Sequence, residues 1–144
     1  MKRSSILTLL LFVSTAHAGV SLHVEHPRNP SHAIDHYKIK CDAKCALEIQ
    51  SPSPGKGSSS SELYQAKIKE LLSMKSAGTL PETKVNARPV LYKIEASDGK
   101  NSINLVLAYP LSYEGEEYIK YVNVISVIEE VKRSMVLELM ESKK

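Results

Sequence analysis

The chain has 144 residues, with 19 Lys+Arg against 16 Asp+Glu. Two of the basic residues, Lys2 and Arg3, belong to an N-terminal export pattern; the remainder carries 17 against 16 and is close to neutral. That balance excludes the broad electrostatic attraction on which binding to nucleic acid or to anionic membranes rests.

The first eighteen residues read as a cleavable signal peptide. Lys2 and Arg3 are followed by the apolar run Ile6–Val13 and then by Ser14-Thr15-Ala16-His17-Ala18, which ends in the A-x-A pattern that a signal peptidase accepts. Cleavage is expected between Ala18 and Gly19. The competing reading is an uncleaved anchor, but the apolar run falls short of the ~20 residues of an ordinary membrane span. No later segment is apolar enough for a span, so the mature chain is expected to cross no membrane. The expected location is periplasmic or secreted. Residues 19–144 remain, read as a single α+β domain with enough chain for one core.

Val20, Leu22 and Val24 alternate with Ser21, His23 and Glu25, a first strand that stops at Pro27. A Pro-containing loop follows. Tyr37, Ile39 and Cys41 alternate with Lys38 and Lys40, and Cys45, Leu47 and Ile49 alternate with Ala46, Glu48 and Gln50. Folding on Asp42-Ala43-Lys44 sets Cys41 opposite Cys45, Ile39 opposite Leu47 and Tyr37 opposite Ile49, all on one face. In an oxidising compartment an even cysteine count reads as a bridge. Across so short a loop it is worth about 2 kcal/mol. A competing local reading is a helical turn over Asp42–Glu48. Apart from that, the alternatives to a bridge are a redox-active or metal-binding pair, whose spacing is not the C-x-x-C of thioredoxin-type sites, and free thiols.

Residues 51–61, rich in Ser, Pro and Gly, read as a flexible connection. Ser59 and Glu62 fit a capping box opening a helix, whose apolar stripe is Tyr64, Ile68, Leu71 and Leu72 and whose C-terminal cap is Gly78. After a loop holding Pro81 and Pro89, a second hairpin turns on Asp98-Gly99, pairing Ile94 with Ile103, Tyr92 with Leu105 and Val90 with Leu107. Pro110–Glu116 is a loop. Glu117–Val124 reads as a strand on propensity, and a final helix begins at Ser126, with Glu129 completing a second capping box. The competing reading is one helix from about residue 118, because Tyr121 and Val124 continue the stripe of Ile128, Val131, Met135 and Leu139. The expected fold is an α+β arrangement: an antiparallel sheet built from β-hairpins with two helices packed on one face.

Chemistry is sparse. There is no G-x-S-x-G, H-E-x-x-H or G-x-G-x-x-G, so the common hydrolase and nucleotide motifs are missing. Glu116-Glu117 and Glu129-Glu130 are adjacent carboxylates, and neighbours on a strand or helix do not face one another. The unusual feature is a histidine cluster: His23, His26, His32 and His36 lie within fourteen residues, with Glu25 and Asp35 among them. Imidazole suits zinc and copper, although the spacing matches no standard site, and a polar strand face beside a solvated loop accounts for the cluster without a metal.

The expected function is that of a small exported, non-catalytic protein-binding domain without a cofactor. The class expected is an inhibitor or immunity-type protein neutralising a hydrolase or toxin, or an envelope accessory. Loops 27–36, 51–61 and 110–116 are the segments that could fill a partner's cleft. The alternatives are a periplasmic zinc- or copper-binding protein using the four histidines, and a hydrolase of unrecognised type. The hairpin VLYKIEASDGKNSINLVL followed by a terminal helix resembles the small emfourin-type metalloprotease inhibitors. The likeness is one of element order, over about residues 37–140. It carries no signature residue, and the export signal, the cysteine pair and the extra strand depart from that pattern.

Overall fold

The computed structural model describes residues 19–27, 36–51, 54–84, 86 and 90–141; the proposed signal peptide and His32 lie outside them. Strand β1 (Val20–Glu25) pairs antiparallel with β2 (His36–Cys41), which pairs with β3 (Cys45–Ser51) and that in turn with β4 (Gly55–Ser59). Helix α1 (Leu63–Ala77) leads to the hairpin β5 (Tyr92–Ser97) and β6 (Ser102–Leu107). A 3-10 turn (Pro110–Ser112) precedes the long helix α2 (Glu116–Glu141). Among the described residues the sheet has six strands in the order β4-β3-β2-β1-β5-β6, all antiparallel. The fold is therefore α+β, with both helices on one face of an antiparallel sheet.

Two-residue alternation divides the sheet into two surfaces. Val20, Leu22, Val24, Tyr37, Ile39, Cys41, Cys45 and Leu47 are buried beneath the helices, as are Tyr92, Ile94, Ala96, Ile103, Leu105 and Leu107. Helix α1 contributes Tyr64, Ile68, Leu71 and Leu72 to this core, and α2 contributes Tyr121, Val124, Val127, Ile128, Val131, Met135 and Leu139. Two buried tyrosines fix α2 on the sheet. The Tyr37 hydroxyl donates to the Ile128 carbonyl at 3.2 Å. The Tyr92 hydroxyl donates to Glu129 Oε1 at 3.0 Å.

The first hairpin has the expected register: Cys41 opposite Cys45, Ile39 opposite Leu47, Tyr37 opposite Ile49. Cys41 and Cys45 are joined by a disulfide on the buried face. The alternative of a helical turn over residues 42–48 is set aside by this pairing.

Four expectations are corrected. The connection over 51–61 contains an edge strand, β4, in which Gly57 lies so close to α2 that a Cβ there would meet Leu139 Cδ2 at 2.6 Å. Ser59 pairs with Cys45 in that strand and so cannot cap a helix; its Oγ accepts from Ser61 N, and Ser61 Oγ accepts from Leu63 N at the true helix start. Gly78 closes α1 as expected, at φ 72°. The second hairpin is slipped by two residues: Ile94 faces Leu105 and Tyr92 faces Leu107. Its loop is Asp98–Asn101, closed by Asp98 N–H to the Asn101 carbonyl at 3.0 Å, so Asp98-Gly99 is only its first half. An even slip leaves every side chain on its own face. Finally, residues 117–124 are helical, because the i, i+3, i+4 stripe running from Tyr121 to Leu139 gains more burial as one helix than local β propensity offers. Ser126 is consequently an exposed position inside α2 rather than a cap.

The sheet's two edges are managed differently. β4 is short and rich in Gly, Ser and Lys. Along β6, the Lys84 N–H donates to the Val106 carbonyl at 2.7 Å and the Val106 N–H donates to Thr83 Oγ1 at 2.9 Å. The segment around residue 84 thereby occupies a ladder that would otherwise template another strand.

Replacing both cysteines (Cys41→Ala, Cys45→Ala) is expected to lower stability by about 2 kcal/mol, read as an earlier urea midpoint with an unchanged slope. Asp98 gives a pH-dependent contribution. Its carboxylate accepts from Asn101 N at 2.7 Å and Lys100 N at 2.8 Å, and these bonds hold its pKa below the ordinary 3.8. A depressed carboxyl stabilises fully above its unfolded value and loses that contribution as pH falls through the lower folded value. NMR titration is expected to place the Asp98 midpoint below 3.8, and Asp98→Ala to speed amide exchange at Lys100 and Asn101.

Candidate functional site

Two surfaces stand out, one polar and one apolar. The polar one is the helix-free face of the sheet. In β1, His23 and Glu25 are two residues apart and so share that face; in β2, His36 lies directly opposite Glu25. His23 is thus diagonal to His36, and the imidazoles stack with centroids 4.7 Å apart and planes inclined by 19°. Their Nε2 atoms are 2.5 Å apart. Glu25 Oε1 lies 3.7 Å from Nε2 of His23 and 3.8 Å from Nε2 of His36. The three side chains are partly buried. Burial, aided by His36 and Lys38, lowers the pKa of His23, against the opposing pull of Glu25 and Glu95. Beside them a shallow groove of about 500 Å³ crosses the sheet, bordered by Ser21, His23, Lys38, Lys40, Glu95 and Asn104.

Of the four histidines singled out from the sequence, the structure brings together His23 and His36. His26 does not join them. It falls on the helix side of the alternation and stacks on Tyr92, with centroids 4.3 Å apart. His32 lies outside the described residues. Glu25, which the sequence marked only as a neighbour, completes the group. The glutamate pairs form no dyad: Glu129 holds Tyr92 and Lys132, while Glu130 reaches Lys67 at 3.0 Å. Glu117 accepts from the Glu82 N–H at 2.7 Å and pairs with Lys120, which depresses its carboxyl pKa.

The apolar surface surrounds the 3-10 turn. Leu111 is 96% exposed, and Tyr109, Tyr118, Ile119 and Val122 are exposed to a lesser degree. The turn beneath Leu111 is firmly held. Ser112 N–H donates to the Tyr109 carbonyl at 2.9 Å and Tyr113 N–H to the Pro110 carbonyl at 3.1 Å. Tyr113 is buried, stacks on Tyr121 at 4.6 Å, and its hydroxyl accepts from the Ala108 N–H at 3.1 Å. Lys84 Nζ sits 5.3 Å from the centre of the Tyr113 ring. Burial raises the Tyr113 phenol and, with Tyr113 and Tyr118 nearby, pushes Tyr121 up to about 12. Sequence reasoning named the 110–116 loop but not Leu111. The available sign was a leucine directly after Pro110, in a segment otherwise polar or aromatic.

In comparison with known proteins, the chain matches no protein-family model and no curated sequence. The emfourin-type resemblance therefore rests on order of elements alone. Among the described residues, no helix is long and apolar enough to cross a membrane.

Removing the hydroxyl that fixes the turn is expected to be measurable. Tyr113→Phe leaves the buried Ala108 N–H without its acceptor and is expected to cost about 1–2 kcal/mol. Amide exchange at Ala108 should rise above the change at Tyr37, whose surroundings are untouched.

Proposed function

We propose that this chain is an exported, non-catalytic protein-binding domain that works by presenting a rigid apolar tip. The observation that carries the reading is Leu111, a leucine at 96% exposure on a turn whose backbone is fixed by hydrogen bonds and by the buried Tyr113. Isolated exposed leucines are ordinary. Leu111 differs in standing on a closed turn, next to further exposed apolar side chains. Within α2, Tyr118 and Val122 are four residues apart and Ile119 and Val122 three apart, so they form one outward stripe beginning just after the turn. A tip already held in one conformation loses little entropy when it enters a cleft, the condition under which a small apolar contact yields affinity.

Export is supported by the A-x-A pattern at Ala16–Ala18 and agrees with the disulfide between Cys41 and Cys45. A non-catalytic role is supported by Glu117, Glu129 and Glu130, whose carboxylates are taken up by structural ion pairs or hydrogen bonds. An inhibitor or immunity-type protein, closing a hydrolase or toxin with its tip, is the form of this function the rigid turn suits best.

The test is comparative capture. Wild-type protein and Leu111→Asp are immobilised and exposed to envelope and secreted fractions of the source organism. Leu111 buries nothing in the fold, so the variant is expected to keep the wild-type unfolding midpoint within about 0.5 kcal/mol. It is expected to lose the partner that the wild type retains. An identical set of captured proteins on both surfaces would remove the reading.

A further inference from the structure

We infer that His23, His36 and Glu25 form a binding site for one borderline divalent transition-metal ion, zinc or copper(II), on the helix-free face of the sheet. The inference is independent of the apolar tip: each can fail without the other.

The argument starts from register. Pairing of β1 with β2 sets Glu25 opposite His36, and alternation puts His23 on the same face. Two strands, each paired on both sides, therefore hold three donor atoms within 4.8 Å of one another. Sites on paired strands are better fixed than sites on loops. The donor set is two imidazoles and one carboxylate. It is the composition of open zinc sites, where a fourth position is left to water or another ligand, and imidazole also suits copper(II). Calcium and magnesium prefer oxygen alone.

The distances fit with small adjustments. Two nitrogens on one tetrahedral zinc, each ~2.0–2.1 Å from the ion, stand roughly 3.3 Å apart. The Nε2 atoms are now 2.5 Å apart, so the rings must open by just under an ångström. Glu25 Oε1, at 3.7 and 3.8 Å from the two nitrogens, must close by less. Side-chain exposures of 27%, 34% and 29% for His23, Glu25 and His36 leave room for both motions.

A second carboxylate supports the same atoms. Glu95 lies opposite His23 on β5, and its Oε2 is 3.9 Å from His23 Nδ1. That is beyond hydrogen-bond distance; closing by about 1 Å would let Glu95 accept from Nδ1–H, the tautomer that leaves the Nε2 lone pair for the metal. Lys38 and Lys93 stand opposite His23 and Glu25 respectively. Their positive charge moderates the pull of the two glutamates on a cation, which points to micromolar rather than nanomolar binding.

Calorimetric titration of the oxidised protein with zinc or copper(II) salt alone is the experiment. One equivalent is expected to bind with a dissociation constant of about 1–10 µM. His23→Ala and His36→Gln should each weaken binding by about 10-fold or more, and Glu95→Gln, which touches no metal, by about 10-fold. His26→Ala, on the other side of the sheet, should leave affinity unchanged. With zinc, the ¹⁵N shifts of His23 and His36 should report ligation through Nε2. All of these side chains are partly exposed, and the unfolding midpoint of each variant separates lost ligation from lost fold. No binding of either metal at about 100 µM overturns the inference. Undiminished binding after His23→Ala combined with His36→Gln overturns it as well.

Discussion

Everything in the fold depends on strand β1 being paired along both edges. On one side it joins the meander β2-β3-β4, and on the other the hairpin β5-β6. Without it there are two sheets too small to carry two helices. Because the strand alternates strictly, the same six residues serve two surfaces. Val20, Leu22 and Val24 enter the core, while Ser21, His23 and Glu25 line the open face. The apolar half supplies stability through burial, at roughly 25 cal/mol per Å² removed from water. The polar half is left free to carry chemistry, since the core makes no demand on it.

Polar atoms on the buried side decide position rather than mere adhesion. An apolar stripe would allow α2 to slide along the sheet by a turn. The hydroxyls of Tyr37 and Tyr92 reach Ile128 and Glu129, neighbouring residues in α2, and only one axial placement satisfies both. Tyr113 then ties the chain just before α2 to the first residue after β6, Ala108, and stacks on Tyr121 one helical turn inside. Gly57 lets the far end of the same helix approach the edge strand. The 3-10 turn carrying Leu111 is rigid because it is the short link between two fixed bodies.

The reading from sequence succeeded where one geometry satisfied several constraints. In the first hairpin, a three-residue turn, a cysteine pair and matching alternation all agree on one register. In the second, Asp98-Gly99 suits a tight two-residue turn as well as the opening of a four-residue loop. Alternation cannot tell them apart, because they differ by an even number of residues. Strand β4 was missed because Gly-Lys-Gly-Ser-Ser has no apolar alternation; it is a strand because β3 offers it a ladder. The start of α2 was misread because Tyr, Ile and Val favour strands locally, and the burial that overrides them is a property of the whole helix. Of the histidines, proximity in sequence misled. His23 and His26 are three residues apart and lie on opposite faces, whereas His23 and His36 meet because the two strands that carry them pair antiparallel. Alternation alone puts Glu25 on the face of His23, but only the β1–β2 register sets it opposite His36.

The central place of β1 also orders events in time. Among the described residues it is the earliest strand in the chain, yet one of its partners is among the last: Val24 pairs with Ile94, roughly seventy residues later. The meander β1-β2-β3-β4 involves only neighbours in the chain and can assemble early, with closure of the Cys41–Cys45 bridge to hold it. Until β5 arrives, the outer side of β1 is an unsatisfied row of amides and carbonyls beside valine and leucine side chains, open to any other strand. Docking of the second hairpin, the β1 pairing of greatest sequence separation, is therefore expected to come late. The interval before it is when a nascent chain of this design is most exposed to wrong pairing, and when a holding chaperone would have most to do.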